Sequence, residues 1–305
     1  MIIDCHAHAT PLEYADLLER ETGMKARAQG LWNESARLRE MDKGGIDIQL
    51  IHFTPGPQFY RNPELTIRLA RAVNDSMAAI CRKHPDRFRA FAVVPLDRPE
   101  WAVPELERAV NELGLSGVTI GSNVLGKTPD DPAFEEVFSA IDRLSLPVFI
   151  HPTERDDFPE AWQAFRLAHY IGWPADTAVS VGKMICSGMF DRFKNIKLLL
   201  SHLGGPIPSM LGRIDRSFRD GKAEKRPSAY LKTFYFDTAG PATAPGVECA
   251  AKLFGVEQLV FGTDLPWGQE GDYVERALES VGKADLPPEK KELIYHANAR
   301  RFLGP

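Results

Sequence analysis

Short apolar runs rich in β-branched residues recur along the chain and alternate with longer segments of mixed polarity. Eight runs can be distinguished, at 2–5, 46–53, 88–96, 117–121, 147–151, 196–203, 233–238 and 258–264. Continuous apolar runs of this length are typical of strands that are covered on both faces. The pattern therefore predicts eight strands of a parallel sheet.

The segments between the runs show the three- and four-residue apolar spacing of amphipathic helices. One such face precedes Gly114 and another follows Pro132. Their apolar members are Val103, Leu106, Ala109, Val110 and Leu113 in the first case, and Phe134, Val137, Phe138, Ile141 and Leu144 in the second. Strands and helices thus alternate, which favours an α/β fold.

Two architectures fit this alternation, a closed (β/α)8 TIM barrel and an open doubly wound sheet. The open sheet is disfavoured because no Gly-x-Gly-x-x-Gly motif follows the first run and because residues suited to chemistry end several different runs. A barrel gathers those ends around one mouth. The segment 9–45 is longer than one connection needs. We therefore expect a single barrel domain over 1–305, with a capping insertion after the first strand.

The composition is that of an ordinary soluble globular protein. The chain has 37 basic and 42 acidic side chains, a net charge of −5, and 44% hydrophobic residues. Without a basic excess it lacks the electrostatic footprint of a nucleic-acid-binding protein. A small-molecule partner is therefore favoured, and no nucleic-acid partner is expected.

Neither a secretory signal nor a membrane span is expected. An acid and a histidine follow the first apolar residues at once, and no apolar run approaches the ~18 residues of a span. The four cysteines, Cys5, Cys81, Cys186 and Cys249, stand far apart and form no Cys-x-x-Cys pair. A chain of this size needs no disulfide framework, so we expect a reduced, cytoplasmic protein.

Residues able to bind a metal end several of the predicted strands. His6 and His8 are two residues apart, so their side chains share a face of the first strand. His151, His202 and Asp264 end the fifth, sixth and eighth runs. An isolated His-x-His pair is more often structural than functional. Five such groups at the ends of strands that meet at one mouth instead indicate a metal site.

Imidazole and carboxylate ligands suit Zn²⁺ and also accommodate Mn²⁺, Fe²⁺ or Co²⁺. We expect one divalent transition metal, Zn²⁺ in the first place and Mn²⁺ in the second. A histidine beside the open position of such a site can take up and release a proton near neutral pH. We assign that role to His202, with a fourth ligand or a group that orients a ligand as the alternatives.

The other histidines carry weaker signals. His52 lies near a strand end, where packing and pocket lining are equally good interpretations. His84 follows a helical pattern and precedes a proline, while His169 and His296 lie in helical stretches. We interpret these three as structural.

Motifs along nearly the whole chain resemble the amidohydrolase superfamily, and within it the branch of metal-dependent non-oxidative decarboxylases that includes aminocarboxymuconate-semialdehyde decarboxylase. The motifs are Asp-Cys-His-Ala-His at 4–8, Phe-Ile-His-Pro at 149–152, Trp-Pro-Ala-Asp-Thr at 173–177, Ser-His-Leu-Gly-Gly at 201–205, Leu-Gly-Arg-Ile-Asp at 211–215, Phe-Tyr-Phe-Asp-Thr at 234–238, Gly-Thr-Asp-Leu-Pro at 262–266 and Asn-Ala-Arg-Arg-Phe-Leu at 298–303. Together they are highly specific for this branch.

The resemblance implies that one metal is held by His6, His8, His151 and Asp264, and that His202 activates water on the metal or moves protons. It implies loss of CO₂ from a small unsaturated or aromatic acid, with His202 or Asp264 delivering a proton to carbon. It also implies a homodimer. No lysine ends a strand where a carbamate could bridge two metals, which favours a mononuclear site.

Substrate contacts are expected from arginines and aromatic residues. The resemblance points to Arg213 and Arg219 as carboxylate-binding residues, some acting across a dimer contact, and guanidinium is well shaped for that task. For Arg213 and Arg219 the alternative is a surface or helix-facing role, and Arg27 and Arg37 are further candidates. Four aromatic residues are expected to line a flat pocket, or singly to be barrel packing: Phe149, Trp173, Phe236 and Trp267.

Two features keep the reaction and the substrate open. The fifth strand continues as His-Pro-Thr-Glu-Arg-Asp at 151–156, where the semialdehyde decarboxylase has an aromatic wall. The motifs at 149–153 and 234–239 instead resemble methylsalicylate decarboxylases. The alternative function is a metal-dependent hydrolase of a lactone, ester or amide at the same site. A metal-binding scaffold without enzymatic activity is a third hypothesis.

Overall fold

Eight parallel strands form the centre of the computed structural model, which describes residues 1–155, 157–218, 221–240, 242–267 and 272–304. Each predicted run overlaps one strand, and the first strand continues beyond its run to His8. The strands are β1 (Ile3–His8), β2 (Ile48–His52), β3 (Phe88–Ala90), β4 (Val118–Gly121), β5 (Pro147–His151), β6 (Lys197–Leu200), β7 (Tyr235–Asp237) and β8 (Leu259–Val260). Later residues of the runs at 88–96 and 258–264 still bond to the neighbouring strands: the amide of Ala92 donates to the carbonyl oxygen of Gly117, and that of Cys5 donates to the carbonyl oxygen of Phe261.

The strands follow one another around a closed ring. Consecutive strands pair in parallel from β1 to β3 and from β4 to β8. Ala92 bridges to Val118 between these two sets, and Ala7 bridges to Leu265 on the other side. The predicted TIM barrel is confirmed, and the open doubly wound sheet is excluded because the last strand returns to the first.

Helices follow the strands and cover the outside of the barrel. The two amphipathic faces predicted before Gly114 and after Pro132 lie mainly in the helices Pro99–Asn111 and Glu135–Arg143, which bury Leu106 and Phe138 respectively. The helices are α1 (Leu12–Thr22), α2 (Glu34–Lys43), α3 (Pro57–Tyr60), α4 (Pro63–Lys83), α5 (Pro99–Asn111), α6 (Glu135–Arg143), α7 (Glu160–Gln163), α8 (Trp173–Cys186), α9 (Met189–Arg192), α10 (Ile207–Ser217), α11 (Pro227–Leu231), α12 (Ala244–Phe254), α13 (Tyr273–Gly282), α14 (Pro288–Glu292) and α15 (Asn298–Leu303).

Two apolar cores hold the layers together. A small core fills the barrel with side chains from most strands, Leu50, Phe149 and Leu199 among them, and Phe302 of α15 joins it. A larger core lies between the strands and the helices. The register of β1 against β2 shifts between Asp4 and Ala7, just before the strand ends at the mouth of the barrel.

The segment 9–45 follows β1 and doubles back on itself. It contains α1, a short 3₁₀ turn at Ala28–Gly30, and α2. The amide of Thr10 donates to the carbonyl oxygen of Gly30, and the amide of Trp32 donates to that of Thr10, each at 2.9 Å. The segment contributes residues to the wall of the cavity described below, while its role as a cap stays a prediction.

No helix in the described ranges combines the length and the apolar character that a bilayer span requires.

Candidate metal centre and its cavity

Four side chains predicted to bind a metal converge at the mouth of the barrel. His6 and His8 come from β1, His151 ends β5, and Asp264 follows β8. One nitrogen or oxygen atom from each lies within 4.8 Å of the corresponding atom of the other three. The Nε2 atoms of His6 and His8 are 3.0 Å apart, and Asp264 Oδ1 lies 3.0 Å from His8 Nε2. Ion binding thus requires no large movement.

The outer nitrogen of each histidine has an oxygen partner. His6 Nδ1 lies 2.8 Å from Asp237 Oδ2, and His151 Nδ1 lies 2.9 Å from the carbonyl oxygen of Pro152. Thr54 Oγ1 lies 3.2 Å from His8 Nδ1. Protonation on Nδ1 leaves the Nε2 lone pairs facing one another, an arrangement that suits a cation between them. The donor set therefore fits a divalent metal.

The electrostatics of the group favour neutral metal-ligating imidazoles at two positions. Burial lowers the pKa of His8 to about 4 and lowers that of His151 well below its ordinary value. Burial also lowers the pKa of His6, but the charges of Asp237 and Asp264 and hydrogen bonding to both carboxylates together outweigh it and raise the pKa to about 10. Burial opposes the charged form of Asp264, yet hydrogen bonding from His202, His6 and His8 holds its pKa well below the usual range.

Asp237, which belongs to the motif at 234–238, is a site residue to which the sequence pattern assigned no role. Its side chain is fully buried. Beyond the contact with His6, its Oδ1 accepts hydrogen bonds from the amides of His202, at 2.9 Å, and Ala239, at 3.0 Å. One carboxylate therefore orients a ligand and fixes the loop that carries His202. Its position at the end of a strand was the available signal.

His202 lies beside the four-residue group and outside it. Its Nε2 is 3.6 Å from Asp264 Oδ2, and about a fifth of its side chain is exposed. Its Nδ1 is buried without a hydrogen bond among the described residues. This placement supports a group that faces the cavity rather than a further ligand.

Both His202 and Asp264 have a backbone conformation in the left-handed region. His202 has a φ of 55° and Asp264 a φ of 67°. Residues other than glycine adopt this region at a cost, and such strain is concentrated at functional sites. Gly240 makes room for the imidazole, since a Cβ there would lie 2.5 Å from His202 Cδ2.

A chain of buried, hydrogen-bonded polar side chains holds β1 in place. Asp4 accepts from Gln49 Nε2 at 2.7 Å and from Thr263 Oγ1 at 2.6 Å. Arg37 donates to Gln49 Oε1 at 2.7 Å and to the carbonyl oxygen of His8 at 2.6 Å. Burial lowers the pKa of Arg37 to about 10. These contacts tie β1 and β2 to the loop that leads to Asp264.

A cavity of about 660 Å³ opens above the metal-binding group. Trp173 and Trp267 are in its wall, together with Tyr273 and residues of the segment 9–45. Phe149, by contrast, is completely buried inside the barrel, and Phe236 is completely buried between the strands and the helices. Two of the four aromatic residues predicted to line a pocket thus do so, and the other two are barrel packing.

His52 and His169 also border the cavity. Both nitrogens of His52 are already engaged, by Thr119 Oγ1 and by the carbonyl oxygen of Cys5, each at 3.0 Å, so its contribution is largely structural. The ring of His169 meets that of Trp173 edge to face, with ring centroids 4.4 Å apart. The turn before α8 thus places His169 in the wall, and its interpretation as a structural residue stays a prediction.

The four candidate substrate-binding arginines differ in their position relative to the cavity. Arg27 is in the cavity wall and lies 3.3 Å from Glu154. Arg37 is buried in the polar chain and is not a wall residue. Arg213 is exposed on α10 and does not reach the cavity of its own chain. Arg219 lies outside the described residues.

Comparison with known proteins identifies the family. Residues 3–304 match the family model described as amidohydrolase, and the chain belongs to that family. The chain is 28% identical to the 2-amino-3-carboxymuconate-6-semialdehyde decarboxylase of Dictyostelium discoideum, with 99% of this chain and 91% of the relative covered.

Solved structures share the whole architecture. The 5-carboxyvanillate decarboxylase of Sphingomonas paucimobilis superimposes with a TM-score of 0.89 at 26% identity, covering 99% of this chain and 98% of that one. A dihydroxybenzoic acid decarboxylase of Polaromonas sp. JS666, crystallised with manganese and the inhibitor 2-nitroresorcinol, superimposes with a TM-score of 0.84 at 23% identity, covering 99% and 96%. The predicted membership and fold are confirmed.

Proposed function

We propose that this protein is a metal-dependent decarboxylase that releases CO₂ from a small aromatic or unsaturated carboxylic acid. The observation that carries the proposal is a buried three-histidine, one-aspartate group at the floor of a cavity with flat aromatic walls. The reactions named for the relatives are decarboxylations, which agrees with this class of chemistry.

One divalent ion would be held by His6, His8, His151 and Asp264. When bound, such an ion supplies positive charge that binds the substrate carboxylate with a neighbouring oxygen and stabilises developing negative charge. Zn²⁺ fits this nitrogen and oxygen set. Mn²⁺ fits as well, and it is the ion in the Polaromonas decarboxylase.

The chain's own residues provide orientation and a proton. Asp237 holds the ring of His6 in place, and the Nδ1 partners of His8 and His151 do the same for theirs. As the carbon–carbon bond breaks, its electron pair stays on the substrate carbon, which takes up one proton. His202 and Asp264, whose Nε2 and Oδ2 are 3.6 Å apart, are the groups placed to hold or pass that proton.

The walls match a planar acid. Trp173, Trp267 and Tyr273 present aromatic surface around the cavity, and aromatic rings stack well against flat ligands. The volume lies within the usual range of small-molecule sites. We assign Trp173 to substrate binding on this basis, and the segment 9–45 to covering the bound acid.

The domain count, the oligomeric state and the cellular compartment are each proposed from a different observation. One domain over 1–305 is supported by a family match that spans almost the whole chain. A homodimer is supported by exposed apolar side chains around α8 and α10, including Ile171, Val179 and Met210. In such a dimer the exposed Arg213 would lie beside the neighbouring subunit, and Arg219 would act in the same contact.

Four free cysteines support a reducing, cytoplasmic compartment.

The test is a panel assay on protein reconstituted with Zn²⁺ or Mn²⁺. CO₂ release is measured for hydroxybenzoates, carboxylated hydroxybenzoates and aminomuconate-type acids, and hydrolysis is measured for lactones, esters and amides. We expect CO₂ from at least one acid, released at least about 10²-fold more slowly by the His202→Ala protein. Hydrolysis without any decarboxylation would make the protein a hydrolase instead.

A further inference from the structure

Asp176 is a buried carboxylate in the first turn of α8, outside the four-residue metal-binding group. Its side chain is 4% exposed. The helix begins at Trp173, which is a wall residue of the cavity, whereas Asp176 lies behind that wall. A carboxylate is costly to bury unless its oxygens accept hydrogen bonds or pair with a cation. The partners of Asp176 are therefore held to it closely.

Both oxygens of Asp176 accept hydrogen bonds from loops that follow other strands. Its Oδ2 accepts from Ser122 Oγ at 2.5 Å and from Asn123 Nδ2 at 2.9 Å, just after β4. Its Oδ1 accepts from Arg155 Nη1 at 2.9 Å, in the loop after β5. One carboxylate thus joins the loops after β4 and β5 to the start of α8.

The two residues after β4 also hold the backbone of Thr153. Ser122 Oγ donates to Asp176 and accepts from the amide of Thr153, the latter at 3.0 Å. Asn123 Nδ2 donates to the carbonyl oxygen of Thr153 at 3.2 Å. Thr153 is a wall residue of the cavity. Both backbone polar groups of this wall residue are therefore held by side chains that Asp176 orients.

The network fixes two segments of the cavity wall relative to each other. One is the segment 151–154 after β5, and the other is Trp173 with Pro174. A buried network in which each member has its partners specifies one geometry more strictly than isolated contacts do. The metal ligands have restraints of their own, Asp237 at His6 and the pairing of β5 with β4 at His151.

We propose that Asp176 is a positioning residue for substrate binding, which holds the segment 151–154 and Trp173 in the arrangement that the acid contacts. This inference rests on the proposed function and deepens it. Without the carboxylate the two wall segments shift, and the acid binds less tightly. The metal-binding group and His202 keep their places. A loss of binding that is equal in the ground state and the transition state raises KM and leaves kcat unchanged.

Asp176→Ala in the metal-loaded protein tests the proposal. Titration calorimetry measures the affinity for benzoate, an unreactive acid, and steady-state kinetics measure KM and kcat for an acid that releases CO₂. We expect the benzoate Kd and the KM each to rise by about 10-fold or more, because small displacements of positioning groups have effects of this size. The value of kcat should change by less than about threefold, and one metal ion per chain should remain.

Two further variants keep the test decisive if Asp176→Ala does not fold. Ser122→Ala retains the ion pair between Asp176 and Arg155 but removes the bridge to the amide of Thr153. It should raise the benzoate Kd and KM in the same way and by a smaller factor. Asp176→Asn retains one acceptor oxygen and should recover part of the affinity that Asp176→Ala loses.

Glu105→Ala is the matched control, since Glu105 is also a buried carboxylate. It accepts from Asn74 and Arg108, on helices outside the barrel, and is not a wall residue. Glu105→Ala should lower the urea midpoint of unfolding as Asp176→Ala does, with native benzoate affinity and KM.

The positioning role is overturned if native protein does not bind benzoate, if the Asp176 and Ser122 variants bind it as native protein does, or if Glu105→Ala weakens it equally. Loss of the metal ion in Asp176→Ala would overturn it as well. Weakened benzoate binding in a protein that releases CO₂ from no acid would leave the positioning role standing and reject the decarboxylase. CO₂ release with native KM in Asp176→Ala would do the reverse.

Discussion

His6 Nδ1 and Asp237 Oδ2 are joined by a 2.8 Å contact between two side chains that are both fully buried. The residues are 231 positions apart in sequence, and they meet because β1 and β7 end at the same mouth. The carboxylate fixes the ring so that Nε2 points at the metal-binding group. Partners of this kind commonly change metal affinity by about 10- to 100-fold.

Asp237→Ala should therefore weaken metal binding by about one to two orders of magnitude, and Asp237→Asn by less because it can still accept from His6. Affinity is measured by competition with a metal-sensitive chelator. Asp191→Asn is the control, since Asp191 also accepts from a side chain, Tyr230, but away from the cavity. Native-like affinity in Asp237→Ala would contradict the orienting role.

His202→Ala should lower the decarboxylation rate by at least about 10²-fold, as expected when a general acid is lost, while the metal content stays at one ion per chain. His6→Ala and Asp264→Ala should lose the ion itself, as elemental analysis of the purified proteins would show. His296→Ala, which removes only a pair with Glu292, should change neither quantity. Loss of metal in His202→Ala would instead make His202 a ligand.

Gly240→Ala should reduce activity by displacing His202. Gly240 has a φ of 78°, and the added Cβ would lie 2.5 Å from His202 Cδ2. Gly114→Ala is a matched control, because Gly114 has a φ of 72° and no atom within 4 Å of an added Cβ. Both variants should lose about 1 kcal/mol of unfolding free energy for the left-handed backbone. Only Gly240→Ala should lose CO₂ release, and equal activity in the two would contradict the steric argument.

Arg37→Met should destabilise the fold by about 3 kcal/mol, because it leaves Gln49 Oε1 and the carbonyl oxygen of His8 buried without a donor. Urea denaturation with and without metal measures this change. Metal affinity should fall as well, since the same contact fixes the end of β1. Arg39→Met, on the exposed face of the same helix, is the control and should be close to native in both measurements. Equal unfolding free energies and equal metal affinities in the two variants would contradict the role of Arg37 in holding β1.

The spacing of apolar residues differs between strands and helices, so the sequence predicted their alternation and hence the barrel. In a barrel of parallel strands, the carboxyl ends of all strands meet at one mouth. The same rule placed His6, His8, His151, His202 and Asp264 together without knowledge of any contact. The family motifs then indicated the class of chemistry. The comparisons confirmed the membership and the fold, whereas the roles of individual site residues stay predictions.

The tertiary structure decided what depends on packing between distant segments. It buried Arg37 against Gln49 and left Arg213 exposed, although both were candidate carboxylate-binding arginines. It also directed His169 into the wall and paired Asp237 with His6. The sequence shows which side chains are polar, and its periodicity shows on which face of a helix or strand each one lies. Only the assembled fold shows which distant residue buries that side chain. The sequence alone thus determined the barrel and the residues at its mouth, and the packing of the loops decided which of them orient, support or face the substrate.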